Sequence, residues 1–404
     1  MFPYCIAISL IALCSCVWDN TESDADFLPL NDTEYPYAGI PRLVIETENF
    51  AQIRDKETKI PAKLQIYGQS GPESEIKDIH IKGRGNSSLK MSKYSMKMIF
   101  TQNEEMFGMP ADREWALISN HADKTLLRNY TTFNIARQLQ MDYVPKCTFV
   151  EVYLNRDYMG IYLLTETIKV NQHRLNLPKD GNHYLVEFDK YYDKNDTIIK
   201  RKSGSPLKIH HPKYCDDSCK TPLKSFIDQW EDFMQTSFQY DTLITQWIDI
   251  QDYSALYWIE EFSKNVDSNL KTSVFFTWNK SGKIKMGPVW DFDLSYGKYK
   301  MYSPQEWYSQ WGPWNKHLFK NSRFKTEMSK YWKTNRHVFL NAIDSLDSYR
   351  EIINKAAKNN FKRWPILGTT FLWEFNQSYD SHSEAVDSLK SWMKQRAQWI
   401  DENI

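Results

Sequence analysis

The sequence predicts an α+β chain of two lobes, strand-rich in its first part and helical in its second. Short alternating or β-branched runs broken by Gly, Ser and Pro fill the first part, whereas from about residue 220 apolar residues recur at helical spacing. With 404 residues and 41% hydrophobic content, the chain can bury a core large enough for one two-lobed domain or two domains. Acidic and basic residues balance at 51 each. No Lys/Arg-rich run offers a phosphate-backbone footprint, which argues against a nucleic-acid partner. Aromatic residues make up 15%, most of them expected in the core.

In chain order, "MFPYCIAISLIALCSCVWDN" is an apolar stretch too short to span a bilayer comfortably, and reads as a signal peptide. Leu13-Cys14-Ser15-Cys16 resembles a bacterial lipobox, so residues 1–16 are assigned as signal peptide and lipobox, with Cys16 the lipidated first residue of the mature chain. The leading "MFPY" has no Lys or Arg, which keeps an ordinary signal peptide or a short anchor as alternatives. Residues 17–40 are polar, acidic and proline-containing, as a tether would be. These features predict an extracytoplasmic protein whose membrane contact is the N-terminal lipid anchor alone.

The domain itself is placed at 41–404. "RLVIETE", "AKLQIYG", "IKDIHIKGRGNSS" and "KYSMKMIF" predict strands of an antiparallel sheet. "DKTLLRNYTTFNIARQLQ" predicts the first helix, with Asp123 as N-cap and Arg128 and Asn129 on it. "CTFVEVYLNRDYMGIYLLTETI" predicts a hairpin turning at Asn155-Arg156-Asp157. The lobes divide at about 180. Helices are then expected in "LKSFIDQWEDFMQ", "DYSALYWIEEFSK", "FKTEMSKYWKTNRHVFLNAIDSL", "YREIINKAAKNNFKRW" and "SEAVDSLKSWMKQRAQWIDEN". They are interrupted by two strands around Asn-Lys-Ser-Gly in "KTSVFFTWNKSGKIKMGPVWDFDL". Cys215 and Cys219 are close enough to pair in a loop, and Cys147 is expected as a buried thiol.

Within "GPVWDFDLSYG", Asp291 and Asp293 stand two residues apart. In an extended segment both carboxylates would face one point and repel, unless a cation sits between them. A hard divalent ion such as Mg²⁺ suits oxygen ligands and leaves positions for phosphate. The alternative is a polar strand end with solvated acids. A sheet-rich first lobe, a helical second lobe and a hairpin ending in acids is the layout of a kinase-like fold.

From 41 to 400 the sequence resembles the CotH kinase family, in particular its lipoprotein members from Bacteroides-type bacteria. The resemblance is carried by "IKGRGNSS" with "KYSMKM", by "LISNHADKTLLRNYTTFNIARQL", "EVYLNRDYMGIYLLTETI", "SKNVDSNLKTSVFF" and "GKIKMGPVWDFDLSYG", in that order. It implies an atypical protein-kinase-like fold, ATP with Mg²⁺ or Mn²⁺ as cofactors, and phosphoryl transfer to a hydroxyl of an extracytoplasmic protein or other surface molecule. By the same resemblance Asp291 is the metal-binding aspartate with Asp293 in support, and Asp267 the catalytic aspartate that accepts the acceptor's proton. The residues alone favour a helix C-terminal or turn aspartate at Asp267 over a catalytic one. Lys97 matches the phosphate lysine, with Lys93 as alternative. Arg84, Asn86 and Ser87 form a turn whose backbone amides can approach phosphate. Glu166 is implied near the nucleotide, its alternative being a cross-strand ion pair.

One position departs from the pattern of ordinary kinases, where an Asn five residues after the catalytic Asp serves a second metal. Here it is Thr272. Either Thr272 ligates, or one metal suffices, or Asn269 substitutes, or turnover is lost. The second functional reading is therefore a catalytically weak surface binding protein with a glycan or protein partner.

Overall fold

The computed structural model describes residues 27, 30–202, 204–236, 244–267, 269–299, 303–370 and 378–404. The expected signal peptide, its Cys16 and half of the tether lie outside the described residues. Among the described residues no helix is long and apolar enough to cross a membrane.

Strands come first. β1 (Arg42–Thr47), β2 (Ile60–Tyr67), β3 (Lys77–Arg84), β4 (Ser95–Met106) and β5 (Met109–Ile118) are followed by α1 (Arg128–Gln138), then β6 (Cys147–Leu154) and β7 (Asp157–Glu166). The strands close into a barrel in the order β1-β2-β3-β4-β5-β7-β6. The four strands read as an antiparallel sheet do pair antiparallel, and β6 returns to pair with β1 in parallel, Arg42 opposite Glu151, so the sheet closes and neither edge stays open. β5, which no sequence pattern singled out, completes the circle. On β4, Met96, Met98 and Phe100 are buried in the barrel core while Lys97 between them faces outward.

A second sheet was also missed. β8 (His183–Phe188), β9 (Ile198–Ile199) and β10 (Leu207–His211) join β11 (Val274–Asn279) and β12 (Lys285–Met286) in the order β12-β11-β8-β10-β9. The hairpin read at 274–286 is thus one end of a five-stranded sheet. Helices α2 (Asp217–Thr236), α3 (Ile250–Ser263), α4 (Asn315–Leu318), α5 (Ser322–Arg363) and α6 (His382–Asn403) supply the rest. Phe133 and Ile135 of α1, although α1 lies between barrel strands in sequence, pack into this helical core rather than into the barrel.

Three local expectations need adjusting. α1 starts at Arg128, and Asp123 stands five residues ahead, accepting from the Arg128 backbone N–H (3.0 Å) and pairing with its guanidinium. The two helices expected within 324–364 are one 42-residue helix, because no Gly or Pro interrupts α5 and Asp347 at the supposed break pairs with Arg350 along it. Cys215 and Cys219 form the disulfide, whereas Cys147 is free and only partly buried.

The C-terminal end of α5 fixes the barrel to the helices. Asn360 Oδ1 accepts from the Ile161 backbone N–H (3.2 Å) and from Lys93 Nζ (2.8 Å), and Lys93 Nζ also donates to the Ile161 carbonyl (2.5 Å). Gly160 lies at φ 87°, and a Cβ there would run into Asn360 Oδ1. Lys93 is fully buried, and burial holds its pKa well below the ordinary lysine value. Asn360→Ala should therefore destabilise the protein by about 1–3 kcal/mol, the cost of orphaned buried polar groups. Lys93→Met, which removes the amine together with its demand for acceptors, should cost less. Urea denaturation of both variants checks the order.

Candidate active site in a polar cleft

A cleft of about 420 Å³ opens between the barrel and the second sheet. Its walls include Arg84, Asn86, Ser87 and Lys97 from the barrel and Asp267, Thr272, Asp291 and Asp293 from the helical part. Eight side chains chosen from widely separated stretches thus share one cavity. Glu166 does not line it; Thr167 and Ile168 next to it do.

Each barrel residue is placed by strand geometry. Arg84 ends β3, and its guanidinium lies over the Trp290 ring at 4.5 Å. Gly85 follows at φ 86°, where a Cβ would collide with Ser88 Oγ, so glycine lets the turn close. Asn86 Oδ1 accepts from Lys56 Nζ at 3.2 Å. Lys97 points from β4 toward β5, where Glu114 Oε2 sits 3.1 Å away. Burial lowers the Lys97 pKa, and Glu114 opposes that shift. Lys93, the alternative, is engaged with α5 and is not among the cleft-lining residues.

The acids sit on two loops tied together by one side chain. After α3, Asn265 Nδ2 donates to the Asp291 carbonyl (3.1 Å), while Asn265 Oδ1 accepts from the Asp267 N–H (3.3 Å). From α1, Asn129 Oδ1 accepts from the Phe292 N–H at 2.7 Å, and Phe292 itself is buried. Ser273 Oγ donates to Asp291 Oδ2 (3.2 Å). Asp291 and Asp293 do not share an extended segment as expected, since Asp291 has φ 67°. Both still line the same cleft, because Asn129 and Asn265 shape the loop rather than a strand pleat.

Crowding shows in the proton affinities. Burial, and then Asp267, push the Asp291 carboxyl up to about 6, against the pull of Arg84. Asp293 is pushed well above the carboxylate range by burial, Asp291 and Asp267. Burial also raises Asp267, opposed by Lys190, whose Nζ lies 3.8 Å from its Oδ1, and by Lys271. Two neighbouring hard oxygen donors that favour a proton fit a divalent cation that would replace it. Asp291 and Asp293 would hold such an ion, with water and substrate oxygens completing its shell. Among the described residues no three of His, Cys, Asp and Glu converge as a ready-made metal cage.

The second sheet contributes a wall that sequence reasoning missed. Thr272 Oγ1 donates to Asp189 Oδ1 (3.1 Å), and Asp189 also has Lys208 at 3.8 Å. Glu187 pairs with His210 at 2.7 Å. All four line the cleft. The signal was the run "HYLVEFD", apolar residues ending in alternating acids, within the unassigned interval before 220. Asn269, the alternative to Thr272, turns its Nδ2 to the Tyr308 carbonyl (3.4 Å). Glu166 is held by Arg174, the Tyr143 hydroxyl and the Lys146 N–H, an ion-pair setting outside the cavity.

A mixed α+β protein with paired acids facing an Arg, a Lys and a glycine turn across one cleft is the class that fold and site define. Residues 81–400, most of the chain, match the CotH kinase protein family, and the protein belongs to that family. No curated protein matches the chain.

Glu260 on α3 accepts from the Asn269 backbone N–H and so supports the loop that carries Asp267; burial pushes its pKa up from 4.5 to about 8. A raised carboxyl contributes stability that is fully present below the unfolded value and is lost as pH rises through the folded one. Stability should therefore fall by roughly 1 kcal/mol per pH unit across that window, and Glu260→Gln should flatten this slope in urea titrations run from pH 5 to 8.5.

Proposed function

We propose that the protein is an atypical kinase that uses ATP with Mg²⁺ or Mn²⁺ to phosphorylate a hydroxyl on an extracytoplasmic protein or surface molecule. The observation that carries this reading is the single cleft in which Arg84 and Lys97 face Asp267, Asp291 and Asp293. In this reading the barrel and its neighbours, about 41–180, act as the N-lobe and about 181–404 as the C-lobe, with α1 packed into the second core. Arg84, Lys97 and the amides of the Asn86-Ser87 turn bind the phosphates. The cation, when bound to Asp291 and Asp293, neutralises charge on the transferring group. Asp267 accepts the hydroxyl proton as the acceptor oxygen attacks the γ-phosphorus and the bond to the ADP oxygen breaks. Its raised proton affinity suits that role.

A second reading is favoured by Thr272, whose hydroxyl is already engaged with Asp189: a binding protein of weak or no turnover, with a glycan or protein partner. Metal-dependent nucleotide binding and transfer by the purified protein separate the two. Asp291→Ala should abolish metal-dependent binding. Asp267→Ala should leave binding nearly intact and slow transfer by about 10²–10⁴-fold, since proton acceptance acts in the transition state. Wild-type protein that binds no nucleotide with either metal would sink the kinase reading; binding without transfer would support the second.

We further propose a lipoprotein of Bacteroides type, held outside the cytoplasm through Cys16. Cys16→Ala should move the protein from the membrane to the soluble fraction on cell fractionation.

A further inference from the structure

Asp267, which lines the cleft, feels two ammonium groups, those of Lys190 and Lys271. Lys190 Nζ is 3.8 Å from Asp267 Oδ1, too long for a hydrogen bond, with its side chain 37% exposed. Lys271 Nζ rests on the Val266 carbonyl (3.1 Å) and the Tyr308 hydroxyl (2.9 Å), one residue from Asp267. The other acids of the adjoining segment are matched to other cations. Asp193 pairs with Lys56 at 2.9 Å, Asp196 with Lys208 at 2.8 Å, and Asp189 holds Thr272 and faces Lys208. Among the described residues, Asp267 is the acid within ion-pair reach of Lys190. Lys271 also faces Glu260, whereas Lys190 has Asp267 as its near carboxylate.

The single pairing of Lys190 has a consequence once an acceptor arrives. A hydroxyl docking on Asp267 competes with Lys190 for its one near carboxylate among the described residues, and leaves a part-exposed ammonium at the site that favours a new counter-charge. We propose that the acceptor supplies that counter-charge: the preferred acceptor is an acidic peptide segment carrying a carboxylate beside its hydroxyl, with Lys190 its specificity-determining residue and Lys271 reinforcing it. The inference rests on the kinase reading for the hydroxyl's position, but not for the charge of the rim. Tyr191, which lines the cleft and is 52% exposed, lies under Lys190 Nζ at 4.7 Å, and Tyr192 beside it is also exposed. Flat rings of this kind give a peptide sequence-tolerant contact area, leaving charge to discriminate.

The test uses three otherwise identical serine peptides with Glu, Ala or Lys on both sides of the serine, measured at low and high salt. Wild-type protein should bind the Glu peptide about five-fold or more tighter than the Lys peptide in fluorescence anisotropy, a difference of the size an exposed charge pair supplies, shrinking as salt rises. Lys190→Glu, at a half-exposed position, should reverse the order. Where transfer is observed, the same order should appear in KM. Equal binding of the three peptides, preference for Lys, or an unchanged order in Lys190→Glu would each overturn the proposal. Lys190→Met that shifts only the pH profile of transfer, with peptide preference intact, would do so too, since Lys190 would then serve Asp267 alone. Anisotropy needs no turnover, so failure of phosphoryl transfer with the Glu preference retained would count against the kinase reading and leave the acidic acceptor standing.

Discussion

Three carboxylates line one partly buried cleft, and keeping acids there, away from water, is the constraint that the surrounding structure answers. Left to themselves, Asp267, Asp291 and Asp293 would move apart into water. They are held by neutral groups: Asn265 bridges the two loops, Asn129 accepts from the Phe292 amide, and Ser273 donates to Asp291. Amide and hydroxyl side chains suit this task because they fix backbone positions without cancelling the negative charge the cleft presents. Burial raises the proton affinity of all three acids, and neighbouring carboxylates add to it at Asp291 and Asp293.

A cleft under such strain needs rigid walls, and the two cores provide them by different means. The barrel has no open edge, so the position of Lys97 follows from cross-strand register: it lies opposite Ala116, and Glu114 two residues along β5 reaches its ammonium. The helical wall depends on α5, about 60 Å of continuous helix at 1.5 Å per residue, whose far end reaches β7 through Asn360, Arg363 and Trp364. A break in that helix near residue 347 would leave the barrel and the acid-bearing loops without a common strut. The absence of Gly and Pro in α5 is thus a sequence feature that bears on the site from a distance.

Much of this was legible in the sequence where periodicity was clean. β1 to β4, the β6–β7 hairpin, α3 and α6 follow from alternation or helical spacing, and the W-D-F-D segment announced its acids by composition. What escaped was what depends on long-range pairing. Barrel closure requires β6 to find β1 across about a hundred residues, and no local pattern encodes that partner. β9 and β10 are two and five residues long, below the length at which a period can be read, and the six-residue β8 was missed with them. With them went Glu187, Asp189, Lys208 and His210, a full wall of the cleft. Asn265 and Asn129 were visible only as loop and helix residues, since their work is defined by partners distant in sequence.

Asp189 also changes how position 272 is understood. Counted along the chain, Thr272 replaces an amide with a hydroxyl and looks like the loss of a ligand. In the fold, that hydroxyl donates its proton to Asp189, and the two occupy one corner of the cavity. A hydroxyl used in this way holds a carboxylate at the cleft wall, and a carboxylate is a harder and more strongly charged oxygen donor than an amide. The corner is therefore not short of oxygen; it draws its charge from the end of β8 instead of from the loop after Asp267. Spacing rules carried along a single loop miss such exchanges, because the cleft is assembled from two sheets and the chemistry of a corner can be supplied by either.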